Sequence, residues 1–317
     1  MLDALKFVQG AVARRDFVAA LTHFQIKEGG IKGYNGTLAL YSPIDLDLNA
    51  NPKATPFAKA IQTCKDTVQL NMTAAGRLSV KSGGFRAYIE CLDEQIFSDI
   101  HPEGQDIALD GHFLDILKTL APFIAEDASR PWARGILFRG PSAFATNNII
   151  LVEKWLGFNF PVEVNIPKPA VQEILRIGEE PERLQMDARS ITFHFRNGRW
   201  LRSQTYDLGW PDLAKVLDRA GAPKPIPDGF FSGLSDLAPF LDDLERIFFK
   251  EGELTTSQTE GLGAAAKVAG VPSQGCYNYH QLHKLDGVAD SVDFDAYPKP
   301  CLFYGDKLRG AIVGIRS

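Results

Sequence analysis

Apolar residues recur at helical spacing in two stretches that read almost alike. Residues 110–123, DGHFLDILKTLAPF, put Phe113, Leu114, Leu117 and Leu120 on one face, and residues 228–240, DGFFSGLSDLAPF, do the same with Phe231, Leu234 and Leu237. Both open Asp-Gly and close Leu-Ala-Pro-Phe. The proline ends each predicted helix, because it has no N–H to donate and its ring clashes with the preceding turn. A third helix is predicted in LDALKFVQGAVA at the start of the chain. After each helix the period shortens to alternation around glycine turns, in LTHFQIKEGGIKGYNG, GILFRGPSAFATN and RIFFKEGELTTS. Each predicts a strand, a tight turn and a second strand, and KEGG at 27–30 echoes KEGE at 250–253.

Each copy of this unit has a second half. NPKATPFAKAIQTCK (51–65) and NIPKPAVQEILRIG (165–178) are short helices entered through proline, which a first turn tolerates. Hairpins follow in RLSVKSGGFRAYIECL and SITFHFRNGRWLRSQTY, with Gly-Gly and Asn-Gly turns. YNYHQLHKLDGVA and CLFYGDKLRGAIVGIRS fill the same places in the third copy, so the apolar run Ala311–Ile315 is expected to be its last hairpin strand. Two stretches without periodicity, SDIHPEGQD (98–106) and GAPKPIP (221–227), read as linkers. The expected architecture is α+β, three tandem domains at 1–107, 108–220 and 221–317, each a pseudo-duplicated helix-plus-β-hairpin unit of ordinary size.

Composition narrows the function. With 45% apolar and 23% charged residues the chain has enough material for a packed core. It has neither a signal-type apolar segment nor an uninterrupted spanning run, so a soluble, intracellular protein is expected. Cys64, Cys91, Cys276 and Cys301 have no CxxC spacing and read as ordinary buried thiols. A formal charge of −5 argues against coating nucleic acid by bulk electrostatics, while leaving room for a local basic surface. His280 and His283 stand three apart with no completing ligand and read as surface histidines. GLGAAAKVAG (261–270) lacks the strand that a dinucleotide loop needs before it, no GxSxG elbow or P-loop occurs, and the carboxylates are dispersed. Neither an enzyme nor a cofactor or metal site is expected.

Three tandem units of this kind resemble the bacterial DNA polymerase sliding clamp, the ring-shaped processivity factor, over almost the whole chain. GAVARRDFVAAL matches its first helix-to-strand segment, and GRLSVKSGGFRAYIECL the end of its first domain. ARGILF, AFATNNIIL, then Arg199-Trp200 with WPDLAKVL after it, are similar to its central sequences, and IVGIRS stands where the family ends in a short apolar strand. The order, spacing and threefold phase of these motifs carry the resemblance. Asn147, Asn148, Ile149 and Ile150 replace the usual Asp-Gly-His-Arg, and Gly314 replaces a proline, a divergence that reads as that of a phage or prophage version.

The resemblance implies helices lining a ring, sheets outside, no enzymatic step, and a role tethering a replicative polymerase in the cytoplasm. It places Lys6, Arg14, Arg15, Lys53, Lys59, Lys65, Lys118, Arg130, Lys168, Arg176 and Lys284 toward duplex DNA, with sequence-independent contacts expected. Each lysine taken alone reads as a solvated helix face; only the shared placement favours phosphate. A hydrophobic pocket for short peptides of the polymerase, the loader and repair proteins is implied at Thr146, Asn148, Ile149, Ile150, Leu151, Pro211, Lys215, Val216, Val313, Gly314, Ile315 and Arg316. Head-to-tail closure of a homodimer is implied at Ile89 on one side and Phe240 and Leu241 on the other. The alternative is a clamp-like scaffold or decoy that binds peptides without encircling DNA.

Overall fold

In a computed structural model, residues 1–93, 100–109, 112–127, 129–206, 209–212 and 214–316 are described. Ser98 and Asp99 of the first linker, Asp110 and Gly111 of the first repeated helix, Leu213 of WPDLAKVL, and Ser317 lie outside the described residues. The first repeat runs α1 Leu2–Val8, β1 Gln25–Lys27, β2 Gly30–Tyr34, β3 Leu38–Pro43, β4 Asn51–Pro52, α2 Ala54–Thr63, β5 Gln69–Met72, β6 Arg77–Ser82 and β7 Phe85–Leu92. The second runs β8 Gln105–Ala108, α3 Phe113–Leu120, β9 Gly135–Thr146, β10 Ile150–Pro167, α4 Lys168–Ile177, β11 Arg183–Met186, β12 Ser190–His194, β13 Trp200–Gln204 and α5 Ala214–Leu217. The third runs β14 Lys224–Pro225, α6 Phe230–Leu237, β15 Arg246–Lys250, β16 Glu253–Thr255, β17 Ala265–Lys267, β18 Gly275–Asn278, α7 Tyr279–His283, β19 Ser291–Val292, β20 Cys301–Gly305 and β21 Leu308–Ile312.

The helices and most hairpins follow the periodicity. Glu28 and Gly29 both have positive φ in the KEGG turn, the twist that lets a two-residue turn join antiparallel strands. Three expectations need correction. GILFRGPSAFATN is one strand, β9, not a hairpin; Gly140 only bends it, and the real turn lies at Asn147–Ile149, where β9 folds back on the 18-residue β10. Both linkers contain strand: Gln105 and Asp106 start β8, which pairs with β11, and Lys224–Pro225 pairs with β19. Their hydrogen-bond partners come from distant sequence, so no local periodicity announces them. The run 311–315 leaves the sheet after Ile312.

The chain divides into two compact units, Met1–Leu114 with Pro169–Tyr206 and Asp115–Lys168 with Asp207–Ser317. The first holds an antiparallel seven-stranded sheet, β1-β2-β3-β13-β12-β11-β8, and a four-stranded sheet, β4-β7-β6-β5. Its core buries Phe24 edge-on against Phe57 and Phe7 edge-on against Phe195. Arg176 of α4 donates to Lys6 O (3.0 Å) and Phe7 O (2.8 Å), the last carbonyls of α1, and to the buried Glu173. Helix C-terminal carbonyls lack intrahelical partners, so this arginine satisfies them. Glu173 in turn lies over Gly10, where a Cβ would come within 1.9 Å of its Oε1.

On the outer face of the seven-stranded sheet, Arg202 pairs with Glu103 at 2.8 Å and with Asp187 at 3.4 Å. Partial burial pushes the Asp187 carboxyl up, but hydrogen bonds from the Arg189 N–H and from the Ser190 hydroxyl and N–H, with the Arg202 charge, outweigh it and pull the group from 3.8 down to about 2.

The second unit holds a six-stranded sheet, β14-β19-β20-β21-β10-β9, and a four-stranded sheet, β17-β16-β15-β18. Phe230, Phe249, Tyr277 and Phe294 form its aromatic core with ring centroids 5.0 to 6.0 Å apart. Gly310 sits in β21 opposite Val152, and a Cβ there would meet Phe303 Cζ at 2.1 Å and Leu151 O at 2.6 Å.

Gly310→Ala is expected to lower unfolding stability by about 1–3 kcal/mol through overpacking, whereas Gly84→Ala, with open space around it, stays within about 0.5 kcal/mol; urea melts of both check this. Because the folded pKa of Asp187 lies below its unfolded value, its stabilisation is complete above pH 3.8 and is lost as pH falls through about 2. Asp187→Asn is therefore expected to cost on the order of 1–2 kcal/mol at neutral pH, a difference that vanishes near pH 2 in melts across that range.

Candidate functional site

The turn between β9 and β10 is built by one side chain. Asn147 Oδ1 accepts from the N–H groups of Ile149 (3.1 Å) and Ile150 (2.8 Å), a local Asx arrangement that replaces backbone turn bonds. Asn148 then takes φ 74°, a left-handed conformation that asparagine tolerates better than most residues. Thr146 Oγ1 donates to Ile150 O, and Asn147 Nδ2 reaches Gln281 Oε1 at 2.6 Å. Arg130, at the start of a 3₁₀ turn, donates to Asn148 Oδ1 at 3.0 Å.

Behind the turn, Leu137, Leu151, Leu302 and Ala311 project from four neighbouring strands into one apolar cluster with Trp210 and Leu217. Trp132 stands edge-on to Trp210 with ring centroids 5.0 Å apart, and Phe144, Val216 and Tyr304 pack at the margin. Trp210 Nε1 is buried without a hydrogen-bond partner. Beyond β21 the chain stays extended and pinned: Val313 N–H donates to Ile149 O, Ile315 N–H to Cys276 O, and Tyr297 Oη–H to Ile315 O. Gly314 is required by this path, since a Cβ would meet the Tyr297 ring at 2.7 Å and Cys276 O at 2.9 Å. Ile149, Val313 and Ile315 are left 38, 42 and 36% exposed, an apolar rim beside the turn.

The expected pocket residues are thereby placed. Thr146, Asn148, Ile149, Ile150 and Leu151 form the turn and the first residues of β10. Pro211 and Lys215 are exposed beside Trp210 and Leu217, Lys215 pairing with Asp212, and Val216 packs on the cluster. Val313, Gly314, Ile315 and Arg316 form the pinned segment. Sequence reasoning missed Trp132, Leu137, Phe144, Trp210, Leu217, Leu302 and Tyr304. Trp210 was within reach, since it opens the WPDLAKVL motif and is one of only four tryptophans.

The cations divide into two kinds. In the first unit Lys6, Arg14, Arg15, Lys59 and Lys65 are exposed and make no ion pair among the described residues. Lys53 lies 3.8 Å from Glu90, and Arg176 is committed to Glu173 and α1. In the second unit Lys118 pairs with Asp115, and Lys168 with Glu126. Burial pushes the Lys284 amine down, only partly offset by Glu126. Ile89 is buried in β7, whose edge away from β6 is met among the described residues by β4 at Cys91 and Leu92 and by the Lys53 N–H at Glu90 O; Phe240 is exposed and Leu241 half-buried after α6. His280 contacts Glu245 at 3.0 Å, and among the described residues no group of three His, Cys, Asp or Glu is placed to hold a metal.

No protein-family model and no curated protein matches the chain. Solved structures do. The sliding clamp of Bartonella birtlesii bound to griselimycin matches over 100% of this chain and 97% of its own, with a TM-score of 0.87 at 17% identity. The chain has the bacterial β sliding clamp fold. A C. crescentus clamp with polyethylene glycol in a putative β-motif tethering region covers the same shares at a TM-score of 0.83 and 18% identity. A Helicobacter pylori clamp bound to a DNA ligase peptide covers 99 and 97% at a TM-score of 0.81 and 16% identity. At these identities the likeness is one of fold, and the clamp architecture accounts for the threefold repeat.

Asn147→Ala is expected to cost about 1–3 kcal/mol, because two N–H groups and Gln281 lose their partner, and to speed amide exchange at Ile149 and Ile150. Asn148→Gly, which suits φ 74°, is expected to leave both nearly unchanged; hydrogen exchange with mass spectrometry separates the two.

Proposed function

We propose that the chain is a DNA sliding clamp, a ring of two copies that encircles duplex DNA and tethers a polymerase and other replication or repair proteins through short linear peptides. The observation that carries the reading is the apolar rim of Ile149, Val313 and Ile315 above the Trp132–Trp210 cluster, in a chain whose whole length has the clamp fold. An exposed apolar rim beside a desolvated aromatic pair is suited to anchoring apolar side chains of a peptide. The domain limits are read from the repeat as 1–107, 108–220 and 221–317, the first of them falling within β8.

Ring closure is supported by the phase of strand pairing. In the first unit β3 of repeat one pairs with β13, the last strand of repeat two; in the second unit β10 of repeat two pairs with β21, the last strand of repeat three. The KEGG and KEGE turns align β17 of repeat three with β3, and β7 is the last strand of repeat one. Among the described residues β17 is an edge strand, and β7 is unpaired over Phe85–Ile89 on the side away from β6. Open edges are a liability unless covered. A second copy would cover both by pairing β17 of one chain with β7 of the other, head to tail, and the two joints of a dimer close a ring. Ile89, Phe240 and Leu241 belong to this joint.

Such a protein holds its partner near DNA by topology and raises its effective concentration there, without a chemical step. Strong phosphate binding would oppose sliding, so a few cations without an ion pair among the described residues, Lys6, Arg14, Arg15 and Lys59, suit the task, with Lys53, Lys118, Lys168, Arg176 and Lys284 muted by carboxylates, backbone or burial, and Arg130 exposed and bonded to the neutral Asn148 amide. The setting is the cytoplasm.

Light scattering is expected to give twice the 34.9 kDa chain mass, and the protein, once placed on DNA, to stay on closed circles and run off linearised ones. A monomer without such topological retention would overturn the ring and leave the peptide-binding scaffold.

A further inference from the structure

The repeat that builds the turn, ladder and apolar rim in the second unit builds an equivalent turn and ladder beside a groove in the first. Asn35 Oδ1 accepts from Thr37 N–H at 3.1 Å and Leu38 N–H at 2.8 Å, the same two bonds and distances that Asn147 makes with Ile149 and Ile150. Asn35 N–H donates to Leu38 O, as Asn147 N–H does to Ile150 O, and the following residue has positive φ in both turns. The ladders correspond: Leu38 pairs with Ser203 and Ala39 with Arg202, as Ile150 pairs with Ile312 and Leu151 with Ala311. One strand further, Thr192 faces Arg202 as Leu302 faces Ala311.

The linings differ in chemistry. Leu151, Ala311 and Leu302 are replaced by Ala39, Arg202 and Thr192. A groove of about 490 Å³ lies here, lined among others by Thr37, Ala39, Asp187, Arg189, Arg202 and Ser203. Arg202 is held across its floor by Glu103 and Asp187. Thr192 Oγ1, fully buried on the same sheet face, has no hydrogen-bond partner. Arg189 is exposed and makes no ion pair among the described residues. An apolar anchor is disfavoured by such a floor, because it would desolvate the ion pairs without replacing their contacts with water. A carboxylate meets an uncompensated guanidinium at the rim.

We propose that this groove is a second peptide-docking site, equivalent by internal repeat to the apolar one and selective for an extended segment that sets an acidic side chain on Arg189. The inference rests on the reading of the second-unit groove as a peptide site. Two grooves of unlike lining let one chain hold two classes of partner without competition between them.

A random heptapeptide library displayed on phage, selected on the full-length chain, tests this, with enriched peptides resynthesised and titrated by fluorescence anisotropy. Two classes are expected. Apolar peptides lose binding in Ile149→Asp and keep it in Arg189→Ala. Acidic peptides weaken ~10-fold or more in Arg189→Ala and further in Arg189→Asp, as for loss of a charge partner, weaken with added salt, and stay within ~2-fold in Ile149→Asp, a residue of the other unit with no shared partner. Recovery of no acidic class, or of acidic peptides bound equally by Arg189→Ala, would overturn the second site. Absence of the apolar class alone would instead count against the proposed function of the second-unit groove. Arg189 is exposed, so its variants are expected to fold, and their thermal melts verify it.

Discussion

Five antiparallel residue pairs, from Ile150 with Ile312 to Lys154 with Leu308, hold the apolar cluster and its exposed rim in being. Side chains alternate faces along a strand, so this register alone puts Leu151, Ala311 and Leu302 on one face and leaves Ile150 and Ile312 on the other; a slip of one residue would exchange the two sets. The same register carries Val313 one step past the sheet to donate to Ile149 O, and so sets the exposed rim. Gly310 keeps the ladder closed by giving Phe303 the space a Cβ would take. Arg309, joined to Glu153 on β10 and to Asp218 after α5, ties the ladder to the segment that brings Trp210 and Leu217 over it.

Charge is handled by a comparable economy. The chain is acidic overall, and many of its helix-borne cations are already answered within their own unit: Arg176 by Glu173 and the end of α1, Lys168 by Glu126, Lys118 by Asp115. Arg14, Arg15, Lys6 and Lys59 remain open. For the proposed clamp, a few exposed charges serve better than a continuous basic wall, since each phosphate contact adds to salt-dependent affinity.

The two Asn-built turns and the two cross-repeat ladders form one frame used twice with different linings. Backbone geometry is preserved down to the Asx bonds, while the floor passes from Leu, Ala and Leu to Ala, Arg and Thr. Turn and register are properties of the frame; what the groove accepts is set by the side chains standing on it.

The threefold phase, the helices and most turns were legible along the chain, because they depend on apolar period, proline stops and positive-φ glycine or asparagine, all local chemistry. GILFRGPSAFATN misled because Gly140 reads as a turn when β10, a long partner strand with bulges, only lets it bend. Of the candidate site, the turn and the segment after β21 were legible through their resemblance to a known motif order, whereas Trp132, Leu137 and Leu302 carry no local mark of meeting Trp210. Sequence by itself determined the threefold repeat, its helices and most of its turns; only the tertiary structure decided that the linkers carry strands, which residues share a face, which cations are already paired, and that a groove lies beside the first-unit turn, because strand register and ion pairing join residues whose separation along the chain leaves no periodic trace.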